Sequence, residues 1–142
     1  IKNYDLYDPP EKWPERFDVS HWGAFLAEDE TGRPAGGAVV AWDTPGMALL
    51  EDRRDLVLLW DLRVRPDLRR QGIGKGLFEA AKAWAREQGC VRMKIETQNI
   101  NTPAGRFYAA QGARLVLTDG HAYGAVPSLK DETMFIWMLD LT

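Results

Sequence analysis

A chain of 142 residues, 45% of them hydrophobic, is the size of one ordinary domain and can bury most of its unfolded-state surface. Acids outnumber bases by 21 to 18, and the net charge of −3 speaks against a nucleic-acid surface. The lone cysteine, Cys90, excludes an internal disulfide framework, and two histidines beside it offer no metal-ligand spacing.

No apolar run approaches about 18 residues and no charged-then-apolar leader opens the chain, so a soluble, cytoplasmic domain is expected, neither spanning nor bound to a membrane. The sequence starts at Ile1 rather than Met, and a preceding segment is expected. Residues 1–142 read as one domain whose first 20 residues form an irregular arm. That arm carries Pro9, Pro10 and Pro14 among Tyr4, Tyr7, Trp13 and Phe17, and its aromatics are expected to dock it.

Trp22 to Glu28 reads as a strand, Asp29 to Pro34 as a turn and Gly36 to Trp42 as the returning strand of a hairpin. Leu56 to Arg65 is almost continuously apolar through Trp60, which suits a central strand covered on both faces. From Lys75 to Gln88 a helix is expected. Leu77, Phe78, Ala81, Trp84 and Ala85 make one apolar face, and Gly89 ends it. Val91 to Thr97 alternates as a strand. A short helix follows, with Thr102 as expected N-cap, Pro103 at its first position, Ala104, Phe107 and Tyr108 on one face, and Gly112 as its stop. Leu115 to Leu117 and Thr133 to Leu139 read as the last strands, around a loop-rich excursion holding His121 and Tyr123. Strands joined through two helices and framed by hairpins indicate a mixed sheet of the α/β or α+β kind.

The candidate ligand loop is Arg69-Arg70-Gln71-Gly72-Ile73-Gly74, between the apolar strand and the first long helix. First-turn N–H groups of a helix have no intrahelical partner and carry partial positive charge, so such an end accepts an anion. Gly72 and Gly74 let the backbone approach a phosphate closely. Five bases (Arg63, Arg65, Arg69, Arg70, Lys75) stand here against one acid, Asp67. A dinucleotide fingerprint fails because its third glycine position holds Leu77, and a Walker loop fails for want of Gly-Lys followed by Ser or Thr.

Arg69, Gly72 and Gly74 fill the acetyl-CoA loop pattern of the GNAT superfamily of N-acyltransferases, which the chain resembles. Leu62-Arg63-Val64-Arg65-Pro66 looks like that family's fourth strand as it splays, and Asn101, Ala104 and Tyr108 match its second motif. The resemblance runs from about Trp22 to the C-terminus and implies a mixed, mostly antiparallel sheet splayed at that strand and flanked by helices. The first strand and two helices of a full domain are not visible in the sequence. Within the superfamily, streptothricin acetyltransferases look closest, through Trp22-Gly23-Ala24-Phe25, Glu96-Thr97-Gln98-Asn99 with Asn101-Thr102-Pro103-Ala104, and Asp131-Glu132-Thr133-Met134. Tyr123 also falls where those enzymes have a tyrosine, whereas Trp60 stands where they carry an acid.

The resemblance implies acetyl-CoA as co-substrate, held by Leu62, Arg63, Val64, Arg69, Arg70, Gln71, Ile73, Lys75, the two glycines, Asn101, Ala104 and Tyr108, with no metal. Tyr108 would give a proton to the departing thiolate, since a phenol with a pKa near 10 is protonated at neutral pH. Asp61, Glu96 and His121 are candidates for helping the amine reach the cleft deprotonated. The plainer readings stay beside these: Tyr108 and Phe107 as core aromatics next to a capping Asn, Asp61 as a strand-end hydrogen-bonding group, Glu96 and His121 as solvated residues. The expected partner is a small-molecule amine acceptor, on a monomer or homodimer. A peptide or protein amine is the alternative acceptor, and a non-catalytic CoA-binding module the alternative of another class.

Overall fold

The computed structural model describes residues 13–122, 124–125 and 131–142. In chain order they form α1 (Trp13–Arg16), β1 (Gly23–Glu28), β2 (Pro34–Trp42), β3 (Leu56–Val64), α2 (Ile73–Glu87), β4 (Arg92–Gln98), α3 (Thr102–Ala110), β5 (Arg114–Asp119) and β6 (Met134–Asp140). Short 3-10 turns at Ala48–Leu50 and Pro66–Leu68 flank β3. The described strands make one six-stranded sheet in the order β1-β2-β3-β4-β6-β5. Only the β3–β4 pair is parallel, and α2 is its crossover. This is the mixed, mostly antiparallel α/β sheet that the resemblance implied.

The two faces of the sheet are covered differently. On one face α2 and α3 bury Phe78, Ala81, Ala85 and Tyr108 against Val40, Val57, Leu59, Met93 and Ile95. On the other, Leu56 and Leu58 meet Ala41, Met47 and Leu50, with Trp22, Phe17 and Trp60 packed on them. The continuous apolar run in β3 follows from this double cover.

Both long helices end in the same way. Gly89 takes φ +88°, donates to the Arg86 carbonyl at 3.0 Å, and is followed by Cys90 donating to Ala85 at 3.0 Å. Gly112 and Ala113 repeat this pattern on Ala109 and Tyr108. A left-handed glycine with these two bonds satisfies carbonyls that the helix itself leaves open. Cys90 is buried, and burial pushes its thiol up to about 11, so it stays neutral and is no nucleophile at physiological pH.

Several boundaries differ from the sequence reading. α2 begins at Ile73 rather than Lys75, because Gly72 serves as its N-cap. The cap of α3 is Asn101 rather than Thr102: the Asn101 Oδ1 accepts from the Ala104 N–H at 3.4 Å, which places Thr102 inside the helix. β5 is longer than Leu115 to Leu117, since its ladder with β6 takes in Arg114 and Asp119. Within the expected arm, Trp13–Arg16 forms one helical turn, and Trp13 is 5% exposed beneath Trp22 and Trp60.

Gly36 fixes how closely β2 approaches β3. A Cβ there would lie 2.6 Å from the Arg63 carbonyl oxygen, a backbone atom that cannot swing aside. Gly36→Ala is therefore expected to destabilise the fold by about 1–3 kcal/mol, as overpacking does. Thermal unfolding of the variant measures this, and an unchanged midpoint would show that β3 yields freely.

Candidate active site

The site begins with a register defect. Val39 pairs with Asp61 and Val40 with Leu59, so Trp60 is the extra residue of a bulge in β3. Bulges bend a strand and re-aim its side chains. The pairing with β4 stops at the same place: Leu59 opposite Ile95 is its last rung. Beyond it β3 stays with β2 up to Gly36 opposite Val64, while β4 stays with β6 through Gln98 opposite Met134. The two parallel strands diverge as a V, whose walls are the backbone of Asp61–Val64 on one side and Glu96–Gln98 on the other.

The loop at the mouth of the V leads into the start of α2 through a left-handed glycine. Gly72 caps α2 at φ +82°, with no side-chain hydrogen bond to the first turn. The helix proper starts with the Gly76 N–H donating to the Gly72 carbonyl at 3.0 Å. Arg70 also adopts positive φ, +66°, uncommon for a residue with a Cβ. The bases divide into two groups. Arg65 is held by Asp67 at 2.7 Å, Asp29 at 3.0 Å and the Pro34 carbonyl at 3.0 Å, which ties the loop to the β1–β2 hairpin. Arg63 is bound to Asp61 at 2.7 Å. Arg69, Arg70 and Lys75 make no salt bridge among the described residues and line the loop itself.

Asn101 and Tyr108 lie two turns apart on α3. The Asn101 Oδ1 accepts from the Ala104 N–H at 3.4 Å, and the amide Nδ2 is the donor that Asn101 can offer a ligand. Tyr108 is 7% exposed, with Phe107 and Phe78 at ring centroids 5.3 and 5.8 Å away. Burial first, and the negative charge of Asp61 second, push its phenol well above the usual tyrosine range. The phenol is thereby held in its proton-bearing form.

The other candidates fall elsewhere. Glu96 alternates with Ile95 and Thr97, both turned into the helix-covered side, and so belongs to the opposite face of the sheet. His121 is exposed in a turn, where its backbone N–H donates to Asp119 at 2.8 Å. Tyr123 lies outside the described residues. The sequence reading did not find the aromatic wall on the Glu96 face: Trp22, Phe17 and Trp13 surround Trp60 at 5.3, 5.6 and 5.8 Å. Its one signal was the density of tryptophan and phenylalanine before residue 23.

A sheet that opens beside the one parallel pair among its described strands, ahead of a helix start without a side-chain cap, defines an N-acyltransferase fold of the kind the motifs resemble. The chain belongs to the acetyltransferase (GNAT) family, which it matches over residues 2–113. It is 28% identical over 120 residues to a streptothricin acetyltransferase of Escherichia coli, covering 84% of this chain and 62% of the relative. With streptothricin acetyltransferase A of Bacillus subtilis it shares 32% over 78 residues, 55% of this chain and 45% of the relative. The chain thus spans less than two thirds of these relatives. The crystal structure of a nourseothricin acetyltransferase superposes with TM-score 0.75 at 26% identity, over 88% of this chain and 68% of that one. A Bacillus anthracis structure solved in complex with acetyl coenzyme A gives 0.72 at 25% identity, over 90% and 67%.

Proposed function

We propose that this protein transfers an acetyl group from acetyl-CoA to a primary amine of a small cationic acceptor, an antibiotic of the streptothricin type, with resistance as the outcome. The observation that carries the reading is the V between β3 and β4, which opens directly ahead of the N-terminus of α2, where no side chain caps the first turn. The named relatives support the acceptor class.

The residues present fit the co-substrate. Backbone N–H groups from Arg69 to Gly74 would take the pyrophosphate, with Arg69, Arg70 and Lys75 balancing its charge and Gln71 and Ile73 completing the loop. The exposed strand backbone at Leu62, Arg63 and Val64 would pair with the amides of the pantetheine arm, and the Asn101 Nδ2 would close the other wall. Bound acetyl-CoA supplies an acyl group activated as a thioester.

The chain's own chemistry is then short. A neutral amine nitrogen forms the new bond to the acyl carbon as the carbon–sulfur bond breaks; Tyr108 gives the leaving sulfur its proton, and the proton that the nitrogen sheds passes to water, from which Tyr108 is reprotonated. Backbone N–H groups of the splayed β3 face the oxygen on which charge develops. Glu96 and the Arg63-paired Asp61 flank the opening, and their carboxylates would draw a cationic acceptor.

Thiol release from acetyl-CoA, measured with the full-length protein against a panel of amines that includes streptothricin, tests the reading. Streptothricin is expected to be the preferred acceptor, and cells expressing the gene should survive a dose that kills controls. Turnover of other amines with streptothricin left unmodified would overturn the acceptor assignment. No turnover at all would leave only the CoA-binding module.

A further inference from the structure

The two edges of the sheet are not alike. On β1 Leu26 is the one large apolar residue that is exposed. β5, whose outer edge has no partner strand among the described residues, exposes Leu115, Val116 and Leu117 in succession, at 45%, 48% and 46%. Edge strands are ordinarily guarded by charge or proline along their length. This one carries charge only at its ends, Arg114 and Asp119. Arg114 lies 3.6 Å from Asp140, a carboxylate shared with Arg92, and the Asp119 Oδ1 accepts from the His121 N–H at 2.8 Å. A guanidinium has five donors and a carboxylate two oxygens, so each can take a further partner.

The bulge in β5 decides how such an edge can pair. Leu115 stands opposite Trp137 and Leu117 opposite Ile136, so Val116 is the extra residue. Directly opposed residues of antiparallel strands share a face. A strictly alternating strand can therefore meet its own copy across a two-fold axis only where the paired numbers differ by an even count. The extra residue shifts the alternation by one. Arg114 and Asp119, five positions apart, consequently share a face, since they oppose Met138 and Met134 of β6; Leu115 and Thr118 share the other, opposite Trp137 and Phe135.

We propose that β5 is a self-association edge, to which a second copy of this chain adds antiparallel across a two-fold axis. Arg114 then faces the partner's Asp119, Leu115 the partner's Thr118 and Val116 the partner's Leu117. The axis repeats each contact, so one strand supplies both members of the charge pair. The two bulges coincide at the axis, and the pairs on either side stay in step. A parallel pairing in register would set arginine against arginine and aspartate against aspartate, which their like charges oppose. β1 offers no such match, because Glu28 is its only charged residue. A single added strand makes a small interface, so the dimer forms and dissociates with concentration. The edge is separated from the V by β6, and the inference stands whether or not acetyl transfer does.

Sedimentation velocity of the full-length protein over about 1–200 µM, a range suited to a small interface, should show a monomer–dimer equilibrium. Val116→Lys puts charge at an exposed position on the axis and should raise the dimer's Kd by at least about tenfold, with an unchanged thermal unfolding midpoint. Arg114→Asp and Asp119→Arg should each do the same, because each sets like charges opposite one another twice. Mixed in equal amounts, those two variants should associate again, one supplying acids where the other supplies bases. A wild type that stays monomeric over the whole range would overturn the proposal. So would a dimer that survives Val116→Lys, which would place the interface elsewhere. Failure of the mixture to associate, with both variants folded, would overturn the antiparallel register and the proposal with it.

Discussion

Replacing Tyr108 by Phe is expected to lower kcat by about 10²- to 10⁴-fold, the usual worth of a positioned general acid, with acetyl-CoA affinity near normal. The variant keeps the ring and its packing against Phe78 and Phe107, so the core that α2 and α3 share is undisturbed. Its pH behaviour separates the proton-donor role from a packing role. Burial and the Asp61 carboxylate both disfavour the phenolate, so the phenol's pKa moves up, away from neutrality, and Tyr108 keeps its proton throughout the range in which rates can be measured. No alkaline limb between pH 6 and 9 therefore belongs to Tyr108. The rate should rise with pH as the acceptor amine loses its proton, and the Phe variant should trace the same curve at lower height. An undiminished maximal rate would make Tyr108 a packing residue.

What the sequence revealed and what it hid follow from how local each feature is. The backbone of the candidate loop was legible because its demands are local: a left-handed conformation at Gly72 and a helix close behind it, although that helix starts at Ile73 rather than Lys75. The spacing of Asn101 and Tyr108 was legible because two helical turns fix it. The cap of α3 was misplaced because Asn101 and Thr102 both have capping side chains, and only the bond from Ala104 to the Asn101 Oδ1 decides between them. The count of five bases overstated the charge available to a ligand, since Arg65 is committed to Asp29, 36 residues upstream, and Arg63 to Asp61. No local pattern carries such pairings. The bulge at Trp60 was hidden for the same reason: it exists only in the register between β3 and β2. That one register shift places Trp60 at the apex of the V, where an aromatic wall stands in the position that a family-based reading gives to an acid.

Gly74→Val is expected to weaken acetyl-CoA binding by about 100-fold or more while the protein still unfolds cooperatively near its normal temperature. The two loop glycines are needed for different reasons, and the variant separates them. At Gly72, with φ +82° and no atom within 4 Å of an added Cβ, a side chain would have room but a strained backbone. At Gly74 the backbone is helical, and a Cβ would meet only the Val64 Cγ2 at 3.5 Å, an ordinary contact. The fold therefore accepts a side chain at Gly74. What valine obstructs is the approach of a phosphate to the first-turn N–H groups of α2. Losing two charge-assisted hydrogen bonds, each worth at least about 1.5 kcal/mol, accounts for a factor of this size. Calorimetric titration of the variant with acetyl-CoA, alongside its thermal unfolding, reads the two effects independently. Unchanged affinity would remove the pyrophosphate from this loop and, with it, the main support for acetyl-CoA as the donor. Lost affinity together with a collapsed unfolding transition would instead mean that Gly74 is required for the turn from β3 into α2.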